Sequence, residues 1–196
     1  MSTRTTLTGQ VLLATPRLVL RQFTGADAEL LVELDSDPAV MHFITAGRPT
    51  PLREIEDDVL PCFLRHYEQY DGYGFWAAQE TQTGAFLGWL HLRPATGAPN
   101  DEPELGYRLR QSAWGKGYAT EGAKALVDHA FQQQGAQRVI AETLTVHTGS
   151  RRVMEKAGLS LVRTFWQPWP DKIDGDEHGD VEYAIERDVW AAKHRA

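Results

Sequence analysis

The sequence predicts an α/β fold in which one mixed β-sheet carries helices on both of its faces. Residues 75–92 hold two strand-like segments around a polar turn, which is typical of an antiparallel hairpin. Residues 120–134 carry apolar side chains at helical spacing between two segments of strand character. The 196 residues include 42% hydrophobic residues and no long polar linker, which favours one domain with a sizeable core.

About seven strands are predicted, each from a short run of strand character between turn signals. They cover residues 17–21, 75–79, 85–92, 104–109, 138–144, 159–165 and 181–185. Helices are predicted after a capping signal at Thr24, after Thr50, from about Thr120 and from Ser150, with a kink or break at Pro61 in the second. The strands first form an antiparallel meander and then alternate with helices.

Residues 13–190 are predicted to form the single domain, with residues 1–12 a flexible N-terminal segment and residues 191–196 a C-terminal tail. The first ten residues are polar and Thr-rich and lack the apolar centre of a signal peptide. No stretch approaches the roughly 20 apolar residues of a membrane span. We therefore expect a cytoplasmic protein that has no membrane partner.

The formal net charge of −7 argues against nucleic acid as a partner and fits a cationic substrate better. Cys62 is the only cysteine, so an intrachain disulfide and a cysteine zinc site are both excluded, and its apolar surroundings favour packing. The histidines show no spacing that indicates a metal site. The oligomeric state is not read from the sequence, and a homodimer stays open.

Two glycines, Gly115 and Gly117, lie where a predicted strand gives way to a helix. Such a turn can direct successive backbone N–H groups toward a pyrophosphate, and the helix N-terminus adds about half a positive charge. Lys116 could add a point charge. A tight turn before a helix would also use glycines, so the spacing alone leaves that alternative open.

Two other phosphate-binding motifs fit less well. A Walker loop fails because no Gly-Lys-Ser/Thr follows a first glycine at the required distance. A dinucleotide fingerprint needs Gly or Ala where Thr120 stands, although Glu142 could imitate its ribose carboxylate. The preceding strands look antiparallel and no second mononucleotide half follows, which argues against that motif.

The segment WGKGYATE, residues 114–121, resembles the acyl-CoA loop of the GCN5-related N-acetyltransferase superfamily, in the form found in its RimJ/RimL group. TPRLVLR (15–21) is similar to the first strand of that group, and ELGY (104–107) to its fourth. SRRVMEKAGL (150–159) is similar to its late helix, and residues 181–190 to its closing strand and tail. The resemblance is specific to the superfamily and does not select a substrate.

The resemblance implies acetyl-CoA as the acyl donor. It places the donor between two splayed strands, the fourth (104–109) and the fifth (138–144), and it assigns pantetheine contacts to the backbones of Tyr107 and Leu109. Pyrophosphate binding is assigned to Trp114, Gly115, Lys116, Gly117, Tyr118, Ala119 and Thr120. No metal is implied.

Three positions depart from the wider superfamily. Trp114 stands where Gln or Arg is usual, as often in this group, and His147 stands where Asn is usual, three residues before Ser150. The imidazole of His147 can still donate a hydrogen bond to the acyl donor. Met154 replaces a tyrosine that acts as an acid in many relatives, so acid catalysis by tyrosine from that position is excluded.

Alternation along 104–109 places Glu104, Gly106 and Arg108 on one face of the strand. Because Gly106 has no side chain, we expect room there for a thioester and an amine, with Glu104 as general base through water. The alternative is a structural carboxylate paired with Arg108 or with solvent. His91 is a second candidate base, for which a hydrogen-bonded sheet histidine is the favoured interpretation.

Ser150 is the candidate hydrogen-bond donor to the sulfur or acid toward the leaving thiolate, and its alternative is to cap the helix that it starts. A late loop carries five carboxylates and two tryptophans, at Trp166 and Trp169, and could line the pocket of a cationic acceptor. The carboxylates are Asp171, Asp174, Asp176, Glu177 and Asp180. Solvated surface is the alternative, and the spacing excludes an EF-hand.

We expect transfer of an acetyl group from acetyl-CoA to a primary amine, either a peptide N-terminus or a small molecule, by direct attack in a ternary complex. A non-catalytic acyl-CoA-binding or interaction domain is the first alternative. A nucleotide-dependent oxidoreductase is the second, and it lacks evident ribose-binding groups.

Overall fold

The computed structural model describes residues 9–94, 100–170 and 172–195. These residues form one eight-stranded sheet of order β1-β2-β3-β4-β5-β6-β8-β7, in which β5 and β6 are parallel and the other neighbours antiparallel. The strands are β1 (Val11–Ala14), β2 (Leu18–Gln22), β3 (Gly74–Glu80), β4 (Phe86–Pro94), β5 (Pro103–Leu109), β6 (Arg138–Leu144), β7 (Ser160–Phe165) and β8 (Asp180–Glu186). The predicted mixed α/β sheet is confirmed, with one strand more than expected.

Helices cover both faces. They are α1 (Ala28–Asp35), α2 (Pro38–Thr45), α3 (Leu52–Glu54), α4 (Leu60–Gln69), α5 (Tyr118–Gln132), α6 (Thr148–Lys156) and α7 (Arg187–His194). Apolar side chains from α1 and α4, including Phe63, pack on one face of the sheet against Phe75 and Trp89. The α5 side chains, including Leu126, pack on the other face with Leu90 and residues of β5, β6 and β8. No helix in the described parts of the chain is long and apolar enough to cross a bilayer.

The local signals were read correctly in the β3–β4 hairpin and in β6, which has the predicted bounds. The capping box at Thr24 and Asp27 is present, although it opens a short 3-10 turn before α1. Pro61 has no N–H to donate within a helix. The chain accommodates it with a π-helical turn, Ile55–Val59, immediately before α4, so the helix is distorted rather than broken.

Three elements were not predicted. β1 is only four residues long, and its first two residues, Val11 and Leu12, belong to the segment that is predicted to be flexible. α2 has a local signal that was overlooked, since Asp37 caps it by accepting from the Ala39 N–H at 2.9 Å. α7 extends past residue 190 into the predicted tail because Trp190 packs on Phe131 of α5 and its Nε1 donates to Asp128 at 2.7 Å.

Candidate active site

The sheet opens between β5 and β6. Along β4 and β5 the antiparallel register is continuous from Gly88↔Leu109 to Pro94↔Pro103. In contrast, the described part of the β5–β6 pair has a single register position, Glu104↔Ile140. The two parallel strands are therefore joined near their N-terminal ends and open toward their C-terminal ends. This is the predicted splay between the fourth and fifth strands, which are β5 and β6 of the observed sheet.

The backbone of β5 faces this opening at two positions. The Arg110 N–H donates to the Leu87 carbonyl at 2.8 Å, which makes Leu109 a non-hydrogen-bonded partner of β4. Strand alternation then turns the amide groups of Leu109 and Tyr107 away from β4 and toward β6. The Leu109 carbonyl accepts from Trp114 Nε1 at 2.8 Å, which fixes the half-exposed indole at the start of the glycine loop.

The glycine loop, residues 114–120, lies where β5 passes into α5. Gly115 and Gly117 adopt positive φ angles of 73° and 83°, and Gly117 is the N-cap of α5. The Glu121 N–H donates to the Gly117 carbonyl at 3.0 Å, so the amides that precede it in the first turn have no acceptor within the helix. An added Cβ at Gly115 would meet open space, which leaves the loop surface accessible to an anion.

An ion pair that the sequence did not reveal holds this loop. Arg17 Nε donates to the Glu121 carboxylate at 2.6 Å and Arg17 Nη1 donates to the Lys116 carbonyl at 2.9 Å. Thr15 Oγ1 also donates to Glu121, at 2.6 Å. Burial opposes ionisation of Glu121, but the hydrogen bonds from Thr15 and Arg17 outweigh it and hold its pKa below the ordinary value. Behind the loop, the buried Tyr118 donates its hydroxyl hydrogen to Glu80.

Glu104 lies at the closed end of the splay, with a side chain that is 23% exposed. Its Oε2 accepts from Arg93, directly opposite on β4, at 2.8 Å. The partner is not Arg108, which lies four residues further along β5 and donates to both carboxylate oxygens of Asp35 at 2.7 Å. The expected common face of Glu104 and Arg108 is supported, since Arg93 lies over the Phe75 ring and Arg108 over the Trp89 ring, and both rings belong to the cluster on one face of the sheet.

The space above Gly106 is filled, contrary to expectation. The imidazole of His91 lies there, and a Cβ added to Gly106 would come within 2.5 Å of His91 Nε2. His91 is 7% exposed, and neither ring nitrogen has a hydrogen-bond partner among the described residues. The described residues therefore supply no hydrogen-bond partner of the kind that the interpretation of His91 as a hydrogen-bonded sheet histidine requires. Nε2 lies 3.8 Å from Glu104 Oε1.

A second carboxylate lies across the opening. Glu142 is on β6, two residues beyond the partner of Glu104, with its side chain exposed. Desolvation raises the pKa of Glu142, and the negative charges of Glu104 and Glu182 raise it further. Glu182 itself is bound by Arg138 at 2.9 Å. The splay is therefore bordered by carboxylates that repel one another.

The first turn of α6, the helix that follows β6, also borders the splay. His147, not Ser150, is the N-cap of this helix, and its Nδ1 accepts from the Ser150 N–H at 3.4 Å. Phe43 of α2 stacks on the His147 ring at 4.3 Å. Burial, and then the charge of nearby His42, lowers the pKa of His147 to about 4. The ring is therefore neutral near pH 7, with its proton on Nε2 if Nδ1 accepts.

Ser150 is buried in the first turn of α6 and contacts β5 across the opening. The Tyr107 hydroxyl donates to the Ser150 carbonyl at 2.8 Å and lies 3.0 Å from Ser150 Oγ. Burial raises the pKa of Tyr107, so the phenol keeps its proton. Met154 is buried in the core, at the position where a tyrosine acid was excluded.

The late loop borders the site at the C-terminal end of β6. The Thr145 N–H after β6 donates to the Gly179 carbonyl at 2.9 Å, which joins the loop to this end of the sheet. Asp174 and Glu177 are exposed, whereas Asp180 is 1% exposed and accepts from Trp169 Nε1 at 3.3 Å. Asp180 is therefore a packed carboxyl and not part of a solvated cluster.

The remaining residues of this loop differ in their exposure. Asp171 lies outside the described residues. Asp176 is half-buried, and its carboxylate accepts from the Ile173 N–H at 3.3 Å. Trp166 is 70% exposed, which leaves an apolar ring on the loop surface. No group of three or more metal-ligating side chains occurs among the described residues.

Comparisons with known proteins all indicate one family. The profile of the acetyltransferase (GNAT) domain matches residues 17–160. The chain is 34% identical to the FsC-acetyl coenzyme A-N(2)-transacetylase of Aspergillus fumigatus over 194 residues, which is 94% of this chain and 80% of that protein.

Two solved structures share the fold. One is RimL, the ribosomal L7/L12 alpha-N-protein acetyltransferase in complex with coenzyme A, with a TM-score of 0.74 and 19% identity over 92% of this chain and 99% of that one. The other is the spermidine N-acetyltransferase of Vibrio cholerae in complex with CoA and spermine, with a TM-score of 0.71 and 13% identity over 90% and 99%. The chain thus belongs to the GNAT family of acetyltransferases and is an acyl-CoA-dependent N-acetyltransferase.

Proposed function

We propose that the protein transfers the acetyl group of acetyl-CoA directly to a primary amine while both substrates are bound. The observation that carries the proposal is the splay itself. The accessible glycine loop lies at the open end of the splay and Glu104 lies at its closed end. Ser150 borders the splay between these two ends. An acyl donor bound along β5 would place its thioester between a carboxylate and a hydroxyl.

The donor would bind mainly through the backbone. We assign its pyrophosphate to the glycine loop, where the N-terminal amides of α5 are unpaired within the helix and the helix dipole favours an anion. The exposed Lys116 adds a positive charge. The amides of Tyr107 and Leu109, which face the opening, are assigned to the pantetheine. Because Nδ1 of His147 accepts from Ser150, its Nε2 is the atom proposed to donate to the acyl donor.

The reaction needs an uncharged amine and a protonated leaving group. The amine nitrogen attacks the thioester carbon, forming the C–N bond as the C–S bond breaks, and Glu104 removes a proton through water. Ser150 Oγ hydrogen-bonds the sulfur or protonates the thiolate. Its contact with Tyr107 fixes the side chain across the gap. Alignment of the two substrates supplies much of the rate enhancement.

A cationic acceptor is proposed from the charges around the opening. Glu142 and Glu104 repel each other, and an ammonium group between them would relieve that repulsion. Asp174 and Glu177 add exposed negative charge on the late loop, where Trp166 Nε1 donates to the Glu177 carbonyl at 3.4 Å. Such an arrangement raises the local concentration of a cation.

The comparisons narrow the choice of acceptors to test. The 34% identical relative is named for an N(2) amine, whereas the two structural neighbours are named for a protein α-amine and for spermidine. We therefore propose small molecules with an α-amino group as the first acceptors, and peptide N-termini as the second. The same proposal includes membership of the RimJ/RimL group, a cytoplasmic location and a homodimeric assembly. It includes neither nucleic acid nor a membrane as a partner.

The proposal is tested by measuring thiol release from acetyl-CoA with a panel of amines, including α-amino esters, peptides with free N-termini and polyamines. We expect release that depends on the amine and yields one acetylated amine per thiol, identified by mass spectrometry. Binding of acetyl-CoA without amine-dependent release across the panel would contradict it.

A further inference from the structure

His91 occupies a position that is built around it. The residue lies opposite Gly106 in the β4–β5 register, and its ring covers the Gly106 backbone. Any side chain at Gly106 would displace the ring, since a Cβ would lie 2.5 Å from Nε2. The rings of Phe75 and Trp89 pack around the imidazole at 5.2 and 5.8 Å. The position is therefore shaped to hold a flat ring beside the splay.

Packing alone does not explain why a polar ring, that of His91, occupies this position. Both nitrogens are buried without a hydrogen-bond partner among the described residues, and burial of an unpaired polar group is unfavourable. Phe75 and Trp89 would contact an apolar ring equally well. The His91 nitrogens make no stabilising hydrogen bond within the described part of the protein. A histidine is nevertheless expected at such a position if its nitrogens bind a ligand.

The geometry identifies where such a ligand would lie. His91 Nε2 and Glu104 Oε1 are 3.8 Å apart, which is too long for a hydrogen bond between them. A single nitrogen carrying two N–H groups would bridge them at about 2.9 Å from each, and because Nε2 is buried the ring must turn slightly to admit it. Because Glu104 is at the closed end of the splay, that nitrogen would be beside the β5 backbone along which the thioester is proposed to lie.

We propose that His91 is a second catalytic residue, whose Nε2 accepts one N–H of the acceptor ammonium while Glu104 Oε1 accepts another. This inference rests on the proposed function. In place of the water-mediated transfer, Glu104 takes one proton directly and passes it to solvent, and the freed lone pair attacks the thioester carbon. Of the three ammonium protons, one leaves through Glu104, one ends on the thiol through Ser150, and one remains on the amide nitrogen.

The charges that face the imidazole keep it uncharged. Burial lowers the pKa of His91 well below its ordinary value, and the positive charges of Arg93 on β4, His66 on α4 and Arg108 on β5 lower it further. Glu104 of β5 is the facing anion. A neutral imidazole can accept an N–H through Nε2 when its own proton is on Nδ1. The ring therefore stays an acceptor at neutral pH.

The first test replaces the ring by an apolar one. His91→Phe is expected to keep the melting temperature or raise it, because two unpaired polar atoms are removed. Acetyl-CoA affinity should be unchanged, and kcat/KM for the amine should fall by about 10- to 100-fold, the lower range of general acid–base contributions. His66→Phe is the matched control, because that histidine packs on the same Phe75 ring but has a backbone partner at Cys62.

A second pair of variants separates the hydrogen bond from packing. The amide of His91→Gln reaches the place of Nε2, whereas the amide of His91→Asn reaches only that of Nδ1. We expect Gln to recover most of the lost kcat/KM and Asn to lose as much as Phe. This pair carries the test if the Phe variant does not fold.

The outcomes are separable from those of the proposed function. If the wild type acetylates no amine, the proposed function fails. If the wild type is active and His91→Phe keeps its kcat/KM, or Gln and Asn behave alike, the role of His91 is wrong. A further readout is the nature of the amine. With an aromatic amine, which is uncharged at neutral pH, the loss in His91→Phe should shrink, and an equal loss for charged and uncharged amines would contradict a role of His91 in binding the ammonium group.

Discussion

Substitution of Gly117 by Asp tests the glycine loop. The residue caps α5 with a φ of 83°, and an added Cβ would lie 3.4 Å from Arg17 Nη2, the movable end of an exposed side chain. The steric cost is therefore small, and the main cost to the fold is the left-handed backbone, about 1–2 kcal/mol and less for Asp. For a chain of this size that lowers the melting temperature by about 2–8 °C.

The effect on binding should be larger. A carboxylate about 4 Å from a bound phosphate repels each negative charge by about 1–4 kcal/mol, depending on the effective dielectric constant. The corresponding loss of acetyl-CoA affinity is about 5- to 1000-fold. Calorimetric titration of the folded variant with acetyl-CoA measures it directly.

Two controls isolate the charge at the loop. Gly117→Asn has the same shape without the charge and should lose much less affinity. Gly135→Asp lies beyond the far end of α5, also at positive φ (71°) and with open space for a side chain, so it carries the same backbone strain away from the loop. Unchanged affinity in Gly117→Asp, or an equal loss in Gly135→Asp, would refute the reasoning.

Four further predictions follow from the site. Glu104→Gln should lower turnover by about 10- to 1000-fold and remove the acidic limb of the pH–rate profile, with acetyl-CoA affinity preserved; an unaltered profile would return the residue to a structural role. Tyr107→Phe and Ser150→Ala should each lower kcat, and the double variant should lose less than the product of the two effects, since one hydrogen bond joins them. Independent effects would argue against that coupling. Glu142→Gln should raise KM for a cationic amine at low salt and change it little at high salt, without affecting an uncharged amine; equal effects on both amines would contradict charge attraction. His147→Asn should flatten the loss of stability between about pH 6.5 and pH 4, because the unfolded wild-type imidazole binds a proton in that window that the folded one, with a pKa of about 4, does not. The free energy of unfolding is measured by urea titration at several pH values in this window. If its dependence on pH is the same in the variant and the wild type, the pKa assigned to His147 is wrong.

Local patterns were sufficient to predict the elements that are proposed to position the donor. β6 has its predicted bounds because its alternation and flanking turns are encoded within the segment itself. The glycine loop was found for the same reason, since the positive φ angles of Gly115 and Gly117 require glycine at those two positions. The resemblance to a known family then supplied the splay between the fourth and fifth predicted strands.

Contacts between distant segments could not be predicted. Arg17 and Glu121 are 104 residues apart, and their pairing depends on how β2 lies beside α5. The filling of the space at Gly106 by His91 depends on the β4–β5 register, which sequence periodicity does not determine. The loss of Asp180 from the acidic cluster depends on its burial under the late loop, which its neighbours in the sequence do not indicate.

Direct transfer between two bound substrates is tested most simply by initial rates measured while acetyl-CoA and a cationic α-amino acceptor are both varied. We predict double-reciprocal lines that intersect, together with an unmodified protein mass after incubation with acetyl-CoA alone. Parallel lines and a protein carrying one added acetyl group would instead indicate an acetyl-enzyme intermediate and would contradict the ternary complex.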